Sequence, residues 1–255
     1  AAQPVPAAPS RLVEAARDAS RARDAFRETG RVDQSAAEPA GGWRLYDLRD
    51  PDAADLPAHL RDLSRLGTVP ANDGLGRSLQ ALQDLTQLLG NPGFESGAWT
   101  PWGAFTGGSV GPTLVTDVTH AGSYAAHMGN ELSATADGWD TDEVSQPVTV
   151  PAAPLEGITT EFWYRITTSE TVEDTDELCN VIWYSDGTPA YGACLDLAGL
   201  GVQDWNQAVL SLTEEQRNDL AGQSIYVGFH LYNNASLVSR AWIDDVTFTI
   251  TTPAT

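Results

Sequence analysis

"LLGNPGFESGAWTPW", residues 88–102, marks a change of pattern in this chain. Upstream, Leu75, Leu79, Leu82, Leu85 and Leu89 recur at helical spacing and stop at Gly90, which predicts a helix ending there. Downstream the period becomes two. "ITTEFWYRIT" (158–167), "CNVIWY" (179–184), "QAVLSL" (207–212), "SIYVGFHLY" (224–232) and "DDVTFTI" (244–250) read as strands between Gly, Asp and Asn turns. "LTEEQRNDLAG" (212–222) is the one helical turn expected among them. Many short strands of this kind predict a mainly β sandwich or barrel.

Two more helices are expected before residue 90. One is capped by Ser10 and runs over roughly 11–28 to the stop at Gly30; the other starts near Pro57, carries Leu60, Leu63 and Leu66, and ends at Gly67. Between them a turn-rich linker carries Trp43, Leu45 and Tyr46. The expected organisation is an extended tail plus about three helices over 1–90, a β-sandwich over 91–252 and a short tail over 253–255.

Charge divides the chain at the same border. All 14 basic side chains are Arg; residues 1–90 hold 11 of them against 13 acids, net −2, and the remainder holds 3 against 22, net −19. Such a field repels nucleic acid and anionic lipid. It attracts divalent cations or keeps the surface hydrated. No stretch approaches the roughly 18 apolar residues of a membrane span, so membrane insertion is not expected. "AAQPVPAAPS" (1–10) reads as a mature terminus left after a signal peptide is removed, which makes export the expectation.

Residues 91–252 resemble the galactose-binding-like jelly rolls that include many carbohydrate-binding modules. The pieces that carry the resemblance are "NPGFESG" (91–97), "HAGSYAAHMG" (120–129), "VSQPVTVPA" (144–152) and "AWIDDVTF" (241–248), in the expected order. The resemblance implies that first and last strands lie together, with Phe94 in the core and Glu95 near the Asp244–Asp245 pair. It also implies a structural Ca2+ held by the Glu95 and Asp245 carboxylates and by backbone carbonyls of the "HAGS" loop, hard oxygen donors that suit this ion. The plain alternative is that both are surface acids. Asp137, Asp140, Asp142, Glu143 and Glu173, Asp174, Asp176, Glu177 lack calcium-loop spacing and read as solvated loops.

Cys179 and Cys194 flank "NVIWYSDGTPAYGA". A four-residue loop, Ser185–Thr188, makes Tyr184 and Pro189 the closing pair. Counting back five from each sets the cysteines opposite one another, where Cα atoms lie about 4.5 Å apart. A disulfide is expected, and with it an extracellular or cell-surface location.

Catalytic signatures are thin: four His, at 59, 120, 127 and 230, but no HExxH, GxSxG or CxxC. No acid pair is singled out for glycoside hydrolysis. Binding has more material, since sugars stack on aromatic faces and the chain holds 8 Trp and 7 Tyr. Along 224–232, Tyr226, His230 and Tyr232 point away from the face of Ile225, Val227, Phe229 and Leu231. Trp163, with Glu161 and Arg165, forms a similar stripe on a strand expected to be a neighbour. These rings are either a ligand face or the surface that covers the N-terminal leucines. The functions to weigh are a non-catalytic structural or adhesion protein, self-associating into filaments through residues 1–90, a carbohydrate-binding module and, a distant third, a secreted hydrolase. The first is the expectation, because the nearly neutral, Arg-rich N-terminal part offers apolar stripes that need a partner.

Overall fold

The computed structural model describes residues 42–49, 83–107, 110–129, 139–173, 175–234 and 237–253. Among these residues, two antiparallel sheets pack face to face. In the first the order is β1 (Arg44–Asp47), β9 (Pro189–Asp196), β8 (Glu177–Tyr184), β11 (Ser224–Asn234), β6 (Trp139–Thr149) and β3 (Gly103–Thr106). In the second it is β10 (Asn206–Ser211), β7 (Gly157–Thr167), β12 (Arg240–Pro253), β5 (Ala125–Met128) and β4 (Thr113–Val115), with β2 (Gln83–Gln87) also on β12. This is the mainly β sandwich expected downstream of Gly90.

Period-two patterning sets the inward faces. Ile158, Phe162, Tyr164 and Ile166 of β7 meet Ile225, Val227, Phe229 and Leu231 of β11 in one core. Phe162 and Phe229 pack edge to face at 4.8 Å, and Phe94 joins the core fully buried. Trp43, just ahead of β1, reaches the same core edge-on to Phe162 and Tyr164, at 5.3 and 5.4 Å. The expected helical turn is α1 (Glu214–Leu220), started by a capping box between Thr213 and Gln216.

The helix expected up to Gly90 is corrected over its last turns, where Gln83–Gln87 is strand β2. The cause is tertiary. β5 covers β12 only at Ala241–Ile243, leaving the edge beyond it open, and β2 pairs there from Thr249 to Pro253. A ladder on an open edge outweighs the modest helical preference of QDLTQ. Gln87 stitches the join: its side chain donates to the Val246 carbonyl and accepts from the Phe248 amide at 2.8 Å. The helices expected over 11–28 and 57–67, and the start of the third, lie outside the described residues.

β1 and β2 also move the border of the sandwich upstream of residue 91. β1 runs along β9 from Arg44 opposite Cys194 to Asp47 opposite Tyr191, and Trp43, Leu48 and Leu89 are buried. Where residues 1–90 are described, their apolar side chains are therefore covered by the chain's own sheets. This removes, for those residues, the need for a second copy on which self-association was expected.

The disulfide Cys179–Cys194 is present, with the two residues paired directly across β8 and β9. Its turn differs from expectation. The register shifts between Ile182 and Trp183, and the Tyr184 amide donates to the Thr188 carbonyl. The loop is thus Ser185–Gly187, closed by Gly187 at φ +88°, a conformation that favours glycine.

Candidate functional site

The NPGFE segment sits where β12 changes partners. Between β5 and β2, the edge of β12 is taken by this segment, whose Pro92 carbonyl accepts from the Val246 amide at 2.9 Å. The register of β12 against β7 breaks at the same place, between Asp244 and Thr247. Asn91, Phe94 and Asp245 all have positive φ, at 49°, 61° and 48°. Non-glycine residues held in this region cost energy and concentrate where a structure grips something.

Three carboxylates and one turn converge there. Both Glu95 oxygens accept from the Ser123 amide, at 3.0 and 2.9 Å, and Oε1 also accepts from Tyr124. Asp244 Oδ2 accepts from the amides of His120 and Ala121, and Asp245 Oδ2 lies 2.7 Å from His120 Nδ1. A Cβ on Gly93 would stand 3.2 Å from an Asp245 oxygen and 3.6 Å from Asp244 Oδ1 and Glu95 Cγ. Gly122 has φ +62°, a conformation that favours glycine, and the Glu95 carboxylate packs against it. Asp244 is fully buried, and burial pushes its carboxyl up to about 6, against the opposing effect of the backbone amides. Among the described residues no Arg forms an ion pair with these acids; His120 is the nearby group able to carry positive charge. Hard carboxylate oxygens and excess negative charge are the donor chemistry Ca2+ takes, but the three carboxylates do not each bring an oxygen within 4.8 Å of the others. The resemblance names Glu95 and Asp245 as ligands; in the fold Glu95 accepts from the Ser123 and Tyr124 amides, Asp245 pairs with His120, and the buried Asp244 holds the same turn.

The expected ligand face divides between the two sides of the sandwich. Tyr226, His230 and Tyr232 are on the first sheet, whereas Trp163 is on β7 in the second, so they cannot meet one ligand. On the first sheet the outward side is closed around His230. His230 is 1% exposed and Tyr232 3%, and Trp183 beside them is fully buried; only Tyr226 is partly exposed. His230 bridges Tyr232 Oη and Glu143 Oε2, each at 3.0 Å, and Ser145 donates to the other Glu143 oxygen. This is a satisfied buried network, which stabilises packing rather than offering free groups.

Several acids expected in solvated loops are buried as well: Asp142, Glu143, Asp176 and Glu177 are all at most 5% exposed. Asp142 accepts from the Gly129 amide at 2.8 Å and Asp176 from the Ser239 hydroxyl at 2.6 Å. The side chains of Asp137, Asp140 and Asp174 lie outside the described residues, and Glu173 is exposed. Glu177 neighbours both cysteine sulfurs, but these are tied up in the disulfide and provide no thiolate for a metal.

The second sheet is different. Trp163 and Arg165 project outward from β7, and Trp242 of β12 lies opposite Arg165. Trp205 comes one residue before the Asn206–Tyr164 pair that opens β10, which sets it on the other flank of Arg165. All three indoles are partly exposed. His120 stacks on Trp163 at 3.9 Å with the rings 12° from parallel, and meets Trp205 edge-on at 5.6 Å. His127 packs on Trp242 at 4.8 Å, and the Arg165 guanidinium lies 5.7 Å over the same indole. Gln207, opposite Trp163, donates to Glu161. Because His120 also bonds Asp245, the carboxylate cluster buttresses this aromatic face. Trp242 was findable from sequence, since Ala241 and Ile243 alternate inward around it. Trp205 was not, because it lies just outside a strand.

No protein-family model matches the chain, and no curated protein matches it. Among solved structures, similar folds include the carbohydrate-binding module TmCBM61 in complex with β-1,4-galactotriose, at 18% identity, 64% of this chain, 97% of that chain and TM-score 0.45. The CBM22-1 xylan-binding domain of Paenibacillus barcinonensis Xyn10C is 11% identical, over 69% of this chain and all of that one, at TM-score 0.40. The K3 cleaved adhesin domain of Lys-gingipain from Porphyromonas gingivalis is 14% identical, over 66% and 100%, at TM-score 0.44. Nothing that these proteins bind transfers to this chain at such identities and scores.

Proposed function

We propose that this chain is a non-catalytic carbohydrate-binding module that takes its glycan on the outer face of the second sheet. One observation carries the reading: Trp163, Trp205 and Trp242 lie partly exposed on one sheet face, interleaved with Glu161, Arg165 and Gln207. Indole faces stack on the C–H faces of pyranose rings, while carboxylate, amide and guanidinium groups bond the hydroxyls between them. On the other outward face His230, Tyr232, Trp183 and Glu143 are closed off, so apart from Tyr226 it has less to offer a ligand. Self-association has less to stand on, because β1 and β2 are spent on the sandwich itself.

A structural Ca2+ belongs to the same reading. Glu95 and Asp245 would hold it, with Asp244 supplying charge from behind. The ion would fix the 120–124 turn and so keep His120 against Trp163 and Trp205. Export is part of the proposal too, supported by the disulfide, which persists in oxidising compartments. No described helix is long and apolar enough to cross a membrane.

The test is a glycan array followed by titration of hits. Trp163→Ala and Trp242→Ala should each weaken binding at least about tenfold with near-UV circular dichroism otherwise retained. Tyr232→Phe, on the closed face, should leave binding as it is. Binding that survives both Trp substitutions would place the site elsewhere.

A further inference from the structure

We propose that the glycan carries an isolated anionic group, a uronic-acid carboxylate, and that Arg165 is the side chain that reads it; this rests on the glycan reading of the same face. The starting point is a missing ion pair. The chain holds 35 acidic residues against 14 Arg, yet among the described residues the Arg165 guanidinium bonds no carboxylate. Its one contact of note is the face of Trp242, and its Nε is buried with no hydrogen-bond partner. Arg49 shows the contrast: it is held by Asp47 and lies 3.6 Å from both Asp219 and Glu215.

The acids nearest Arg165 are engaged elsewhere. Glu161, on the same side of β7, accepts from Gln207. Asp244, opposite Trp163, is fully buried and takes up the amides of His120, Ala121 and Asp245. Asp245 is held to His120. A cation kept free in so acidic a protein, at the centre of a Trp205–Arg165–Trp242 row, is placed for a ligand rather than for the fold.

The geometry selects the ligand's chemistry. Lying over Trp242 steadies the guanidinium through cation–π contact; with Nε buried, the two terminal Nη groups are the donors left to meet a ligand. A planar fork held this way suits a carboxylate, which it can bond bidentately. The flanking indoles provide platforms for the sugar that bears the acid and for its neighbour. The net charge of −19 over residues 91–255 disfavours a polyanion by long-range repulsion. The expected ligand is therefore a largely neutral chain with spaced acidic sugars.

The experiment uses the full chain with calcium present. Oligosaccharides bearing one uronic acid are titrated calorimetrically beside their carboxyl-reduced forms and beside sulfated forms of the same backbone. The acidic member should bind about tenfold or more tightly, the worth of a charge-assisted hydrogen bond. Arg165→Gln should bring each acidic and reduced pair to within about twofold on the same scale, and Arg165→Lys should fall between. Equal affinity of wild type for acidic and reduced members, with Trp163→Ala still abolishing binding, overturns the acid-reading role and leaves glycan binding standing. Preference for the sulfated form overturns the assignment to a carboxylate. If no member of the panel or of a general array binds, both readings fall.

Discussion

Replacing Cys179 and Cys194 together by Ala isolates what the disulfide contributes. The bond closes a loop of sequence separation 15, for which the chain-entropy relation gives about 3 kcal/mol at 25 °C. Little of this should come from the folded side. β8 is held by β11 along Ile225–Tyr232 and β9 is held by β1, so the ladders keep both strands in place without the bridge. The two sulfurs are buried among Val181, Trp183 and Tyr232, and truncation there adds about 1 kcal/mol for lost packing. At about 2–4 °C per kcal/mol for a domain of this size, the melting temperature should fall by roughly 8–16 °C. Differential scanning calorimetry at fixed pH and calcium measures it, with thiol counting under non-reducing denaturation as the companion assay. Two free thiols in the wild type, or a shift below about 2 °C, would refute the reasoning; the first would also remove the support for an oxidising compartment.

Calcium should raise the melting temperature, since an ion bound only by the folded state adds about 2.7 kcal/mol at a hundred times its Kd. Glu95→Ala or Asp245→Ala should abolish that response, and melting curves identical with and without chelator at equal ionic strength would speak against the site. In chelator, stability should depend on Asp244, whose folded value is raised from 3.8 to about 6 by burial. The folded state then binds the proton more tightly than the unfolded chain does. The contribution of the neutral carboxyl is complete below pH 4 and is lost as pH rises through about 6, roughly 3 kcal/mol in all. Urea titrations of the chelated protein between pH 4 and 7 should show the decline, and Asp244→Ala should flatten it; a flat wild-type profile would contradict the burial argument.

Much of the fold was legible in the residues themselves. Alternation along 158–167 and 224–232 identified the buried faces of β7 and β11, because a strand places every second side chain on one side. Turn residues between the cysteines brought Cys179 opposite Cys194, even though the loop proved one residue shorter. The NPGFE and IDD motifs met as the resemblance implied, and α1 carried its own capping signal. Other features depended on what the chain folds against. Leucine spacing near Gly90 was compatible with a helix until the open edge of β12 supplied a ladder for Gln83–Gln87. The acids at 142, 143, 176 and 177 looked solvated because sequence displays charge but not the amide or hydroxyl that will meet it. Most consequential was the sheet assignment. Period two says that Trp163 and Tyr226 both point away from the core, but a sandwich has two outward faces. Only strand order, set by non-local pairing, puts Trp163 beside Trp205, Arg165 and Trp242 on the open face and Tyr226 beside His230 on the closed one.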